Sequence, residues 1–164
     1  MIALHLLETK DFMNKFLAGD LFKDFLLLES TITNGITYSI DGRLSKDASE
    51  EQKAQFADGM IAMANIRPML FQMVKGAHTP SYMKFVLALS CQQVLQLMNG
   101  TKTSISVSDV RNLCINITYQ NQQLLCTTGV SYSTFCKDKG LEQEWDRVVS
   151  LYLKKHQIFF ETLT

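Results

Sequence analysis

The chain has 164 residues, 46% of them hydrophobic, with 16 Lys/Arg set against 16 Asp/Glu. That length and apolar content suit a single domain over residues 1–164 with one continuous core. The cancelled charge removes the cheapest route to nucleic acid, which relies on surplus cations to displace counterions; residues 1–82 carry eight bases and ten acids, residues 83–164 eight and six, so neither half is a basic arm.

Residues 4–7 read as a first strand. Thr9 is placed to cap a short helix whose apolar stripe is Phe12, Met13, Phe16 and Leu17, with Gly19 ending it. Residues 25–33 and 36–44 flank Asn34-Gly35, a dipeptide that accepts positive φ, so they read as a hairpin. A two-residue turn there makes partner positions sum to 69. Leu27, Tyr38 and Ile40 then share the core face, and Ser30, Ser39 and Arg43 the wetter one. Ser49-Glu50-Glu51-Gln52 is a capping box opening a helix through Phe56, Met60 and Met63. Arg67-Pro68 breaks it, with Pro68 as the first residue of a second helix that ends at Gly76.

After Thr79-Pro80 comes a strand with Met83, Phe85, Leu87 and Leu89 on one side, then a helix over 90–98 stopped by Asn99-Gly100. A second hairpin runs over 113–119 and 123–130 with its turn near Asn121, and 131–136 reads as a further strand. The last helix, 141–156, buries Leu141, Trp145, Val148, Val149 and Tyr152, and Ile158, Phe159 and Phe160 dock back on the domain. The order strand, helix, hairpin occurs twice. Met1 aligns with Met83 and Phe12 with Val94 at one offset, and Gly42 with Gly129 after an insertion. The expectation is an α+β fold built from a duplicated β-α-β-β unit, with an internal repeat of 1–80 and 81–164 and an extra C-terminal helix.

Two stretches, Ile66-Arg67-Pro68 through Val86 and Leu113 through Asp146 with Leu141-Glu142-Gln143-Glu144-Trp145-Asp146 at its heart, resemble an uncharacterised family. It comprises small proteins from anaerobic Gram-positive bacteria and is known as a domain of unknown function. That resemblance implies no activity and no assigned site. In element order alone the chain is also similar to half-domains of DNA sliding clamps, with 1–17 and 25–42 matching a clamp's opening and 113–135 its second sheet portion. This likeness implies a clamp-like pseudo-two-fold. It does not carry over a DNA channel, because Lys10 and Lys15 sit beside Asp11 on the first helix and the helix at 91–98 has no charge.

The start, Met1-Ile2-Ala3-Leu4-His5-Leu6-Leu7, lacks a basic lead-in and is cut off by Glu8, Lys10 and Asp11. It therefore reads as neither a signal peptide nor a membrane span. Cys91, Cys114, Cys126 and Cys136 form no CxxC pair, which suits reduced thiols and a cytoplasmic location. His5, His78 and His156 leave chance Cys–His pairings open, but nothing fixes a nucleophile, a base and an orienting group. No metal-ligand spacing and no nucleotide or cofactor motif is present, so neither metal nor cofactor is expected.

Two groups of residues are site candidates. Arg67, Lys75 and Lys84, around the loop Lys75-Gly76-Ala77-His78-Thr79-Pro80, would gather an anion if they converge; as solvated charges they need no ligand. Met60, Met63, Met69 and Met73 form a methionine-rich patch suited to an adaptable protein contact, although their helical spacing with Phe56 and Phe71 suits core filling at least as well. The favoured function is a non-catalytic protein-interaction or scaffold domain that binds a protein partner or itself. The rival is a nucleic-acid-associated protein, disfavoured for a monomer.

Overall fold

A computed structural model describes residues 1–163. In chain order its elements are β1 (Ala3–Leu6), α1 (Thr9–Leu17), β2 (Leu26–Asn34), β3 (Ile36–Asp41), α2 (Glu50–Lys53), β4 (Phe56–Ala57), β5 (Met60–Ala62) and α3 (Met63–Val74). There follow β6 (Tyr82–Ala88), α4 (Cys91–Asn99), β7 (Val110–Gln120), β8 (Gln123–Tyr132), α5 (Gly140–Lys155) and β9 (Phe160–Leu163). The strands form one antiparallel sheet in the order β4-β5-β2-β6-β7-β8-β1-β9, with β3 also paired to β2. The fold is α+β.

Strand alternation decides which face is core. Leu4, Cys126, Ile117, Phe85 and Ser30 stand opposite one another across five strands, and all five are buried. Against this face pack Phe12 and Phe16 of α1, Met63 and Leu70 of α3, Val94 and Met98 of α4, and Trp145 and Val149 of α5, in one cluster. Ser30 is the polar member of that row, and its Oγ has no hydrogen-bond partner.

The first hairpin departs from the expected register. Asn34 stands opposite Ile36 and Thr33 opposite Thr37, so partners sum to 70, with Gly35 alone at positive φ (77°). The register of β2 against β6 also shifts between Leu27 and Glu29. Together these turn Ser30 inward beside Leu27, where the two-residue turn had put it on the wet face. Gly42 makes the distortion feasible: its N–H donates to the Leu28 carbonyl, and a Cβ there would come within 1.9 Å of the Leu27 oxygen. A two-residue turn does form at the other hairpin, where Asn121 and Gln122 both have positive φ (52° and 62°) between Gln120 and Gln123.

The segment between the hairpins is also different. The Ser49 capping box forms, with Ser49 Oγ accepting from the Gln52 amide at 3.1 Å and Gln52 Oε1 from the Ser49 amide at 2.8 Å. Yet α2 is a single turn. Asp58 and Gly59, both at positive φ, fold the next residues into the β4–β5 hairpin, so Met60 lies on a strand. Helix α3 begins at Met63 and runs through Pro68 instead of starting there. Thr9 lies inside α1, with Glu8 at the cap, and β8 ends at Tyr132 without a further strand at 131–136. Ile158 is buried but Phe159 is exposed, and Phe160 opens β9, which pairs with β1.

The matched halves do not pair alike. A two-fold relating them would carry the β6–β7 pairing onto β1–β2 and the β2–β6 pairing onto β7–β1; instead β1 lies between β8 and β9. The repeated element order is therefore not expressed as a repeated sheet.

Two contacts fix α5. Trp145 is 1% exposed and donates from Nε1 to the Cys114 carbonyl at 2.9 Å. Just before the helix, the Asp138 carboxylate accepts from the Gly140 amide, the Ser104 amide and hydroxyl, and the Thr103 hydroxyl. These bonds hold its pKa at about 2, below the ordinary 3.8.

Trp145→Ala is expected to lower the unfolding free energy by about 3–5 kcal/mol, read from a urea midpoint at unchanged slope. Because the Asp138 pKa is depressed in the folded chain, its contribution is complete above pH 3.8 and is lost as pH falls towards 2. Urea midpoints of Asp138→Asn should accordingly fall less steeply than wild type between those pH values; parallel acid limbs would show that the bonds do not hold the charge.

Candidate functional site

The three candidate cations occupy separate environments. Arg67, on α3, donates from Nη1 to the Gly19 carbonyl and from Nη2 to the Leu21 carbonyl, the latter at 2.9 Å. Burial lowers its pKa, opposed by the charge of Asp20 and by Tyr152. Its fork is thus spent on backbone oxygens of the α1–β2 connection. Lys84 alternates with the buried Met83 and Phe85 and so points to the outer face of the sheet, where it pairs with Glu29 at 2.9 Å. That hydrogen bond raises its pKa. Arg67 and Lys84 are therefore on opposite sides of the sheet. Lys75 alone faces a cavity, with its ammonium 5.9 Å from the centre of the Phe71 ring.

The methionines divide in the same way. Met63 is wholly buried, Met60 borders a shallow depression beside α4 with Leu89, Cys91 and Val94, Met73 is half-buried, and Met69 is exposed. They do not share one surface.

Three of the thiols, Cys91, Cys114 and Cys126, are shifted away from the lowered pKa that nucleophilic attack needs. Burial pushes the Cys126 thiol up to about 12 and also raises Cys114. Cys91, exposed at the start of α4, is raised by desolvation and then by Asp58. His156 packs its ring 4.3 Å from that of Tyr152. Among the described residues, no group of three or more His, Cys, Asp or Glu could hold a metal ion.

What the structure does assemble is a cleft of about 600 Å³ between α1, the end of α3 and the 75–80 loop. Its position follows from chain geometry. Lys10, Met13, Asn14 and Leu17 recur at helical spacing along one side of α1. The α3 helix stops at Val74, and Lys75 takes extended backbone (φ −66°, ψ 146°), so the chain leaves the helix and crosses to β6. The Ser81 amide then anchors the crossing on the Thr33 carbonyl at 3.0 Å. This leaves the end of the sheet where Met83 stands opposite Tyr119 as the floor, joined by buried Leu17 and Pro80. The rim is exposed and polar: Lys10, Asn14, Lys75, His78 and Thr79. Sequence reasoning found the loop but missed the α1 wall, whose signal was Lys10 and Asn14 four apart beside the Phe12–Phe16 stripe.

A family model for a family of unknown function, DUF5721, matches residues 15–161. The chain belongs to that family. The DUF5721 match contains the α3 end, the loop and the sheet floor of the cleft, whereas Lys10, Met13 and Asn14 precede it. No curated protein and no solved structure matches the chain.

Replacing Arg67 by Met leaves two carbonyls without a charged donor and is expected to cost about 1.5–3 kcal/mol of stability. Lys75→Ala, at an exposed position, and Lys84→Ala, at a half-buried one whose ion pair faces solvent, should each change it by less than about 1 kcal/mol. Thermal and urea unfolding of the three variants would show this order; equal effects would mean that Arg67 is not a structural tie.

Proposed function

We propose that this chain is a non-catalytic interaction domain and that its contact surface is the cleft between α1 and the 75–80 loop. The observation that carries the reading is the cleft itself. Its volume of about 600 Å³ falls in the range of ligand-binding cavities, roughly 300–1,000 Å³, and it combines an apolar floor with polar groups at the rim. The raised thiols of Cys91, Cys114 and Cys126 support binding over covalent chemistry at those three positions. The methionines carry no part of this reading, because they are spread over core, strand and helix surface.

The nucleic-acid alternative draws on Lys10 and Lys75, neither of which is in an ion pair among the described residues. Two cations displace few counterions, so duplex affinity from this surface alone would be slight and its salt slope no steeper than about −2.

Screening the ¹⁵N-labelled protein against a fragment set by NMR tests the reading. Binders are expected to move the amides of Lys10, Asn14, Lys75 and His78 while remaining chemically unchanged. Shifts confined to other surfaces, or conversion of the fragments, would overturn it. Anisotropy of a labelled duplex across a salt series should stay flat at physiological salt.

A further inference from the structure

Resting on that reading of the cleft, we infer that the partner presents an acidic segment carrying apolar side chains, and that Lys10, Lys75 and the 76–79 backbone receive its carboxylates and carbonyls.

Three observations converge on this partner. The first is charge. The lining includes Lys10, Lys75 and His78 but no Asp or Glu, in a chain whose bases and acids are equal in number. The acid next to Lys10, Asp11, is tied to Lys15 at 3.0 Å. Lys53, Lys84 and Lys139 are paired with Glu50, Glu29 and Glu142, and among the described lysines outside any ion pair only Lys10 and Lys75 line the cleft. Lys10 and Lys75 are left facing a concavity with their charge uncompensated.

The second is hydrogen-bonding capacity. Among the described residues, the amides of Gly76, Ala77, His78 and Thr79 donate to no protein acceptor. The flanking amides are used, Lys75 on the Phe71 carbonyl and Ser81 on that of Thr33. Four successive free donors next to two ammonium groups favour a ligand rich in acceptors.

The third is the floor. Met13, Leu17, Val74 and Met83 give no partner to a charge, but they bury aliphatic or aromatic groups, and the methionines adapt to their shape. A phosphate backbone has nothing to place there, and a bare inorganic anion would leave it wet. An acidic peptide with Leu, Phe or Met side chains fills both parts, and a cleft open to solvent along its rim lets such a segment enter and leave as part of a longer chain.

The test is selection of the full chain against a random heptapeptide display library, followed by anisotropy with the labelled enriched peptide. Enriched sequences should combine Asp or Glu with Leu, Ile, Phe or Met. Converting their acids to Asn and Gln should weaken binding about tenfold per acid engaged. The double variant Lys10→Glu/Lys75→Glu, with both substitutions at exposed positions, should reject these peptides and select Lys/Arg-bearing ones. The single variant Lys75→Gln, which adds no repulsion, should show an intermediate loss. Apolar peptides without acids that still move the amides of residues 75–79 would overturn the charge assignment and leave the contact surface standing. Binders mapping elsewhere, or no enrichment, would overturn both. A simple medium-chain carboxylate binding the cleft where no peptide does would overturn the choice of a protein segment.

Discussion

The structure turns on Phe22. It sits at positive φ (60°) and is completely buried. For a residue with a Cβ that backbone costs about 1–2 kcal/mol, which burial of the ring, about 1.5–3 kcal/mol, is large enough to offset. The Phe22 amide donates to Tyr152 Oη at 2.7 Å, and its ring stacks on Tyr152 at 5.0 Å and meets Phe16 and Phe25 edge-on. Two carbonyls of the same connection are taken by Arg67. One strained turn thereby joins α1, α3 and α5 to the sheet, and the relative placement of α1 and α3 is what opens the cleft between them.

Because the helices share one face of the sheet, they compete for a limited length of strand. The chain leaves α3 at Val74 before that helix covers the Met83–Tyr119 end, and the loop that follows crosses beside it without filling it. The cleft is thus a product of helix length and of where the crossing is anchored, and its chemistry comes from residues that those two constraints happen to leave at its mouth.

Much of this was legible in advance, and the failures have separate physical causes. Alternation at Met83, Phe85 and Leu87 and helical periodicity at Leu141, Trp145 and Val149 depend on a single buried face, which sequence reports directly. Asn34-Gly35 located a turn but not its register, which closes on Gly35 alone, and the bulge at Leu28 belongs to the pairing of β2 with β6, a tertiary event. The Ser49 capping box is a true local signal, but its helix stops after one turn, and the turn at Asp58-Gly59 falls inside the stretch expected to be helical. β9 pairs through its backbone and has little buried side-chain surface, so no pattern announced it. At the site, the loop was visible as a cluster of charge and Gly/Pro. That Arg67 would bond carbonyls nearly fifty positions away, and that α1 would supply the facing wall, are properties of packing.

The position of β1 has a consequence for how the fold is reached. Leu4 finds its two strand neighbours at Cys126 and Thr162, the second of them almost the full length of the chain away. Closing so large a loop costs entropy before any contact compensates for it, and folds rich in such pairings form slowly. During synthesis the first strand would leave the ribosome with Leu4 and Leu6 unpaired, and would wait until β8 and then β9 followed. The sheet is in this sense completed by its earliest segment last. Until then its apolar residues depend on dilution or on a chaperone to stay apart from other chains.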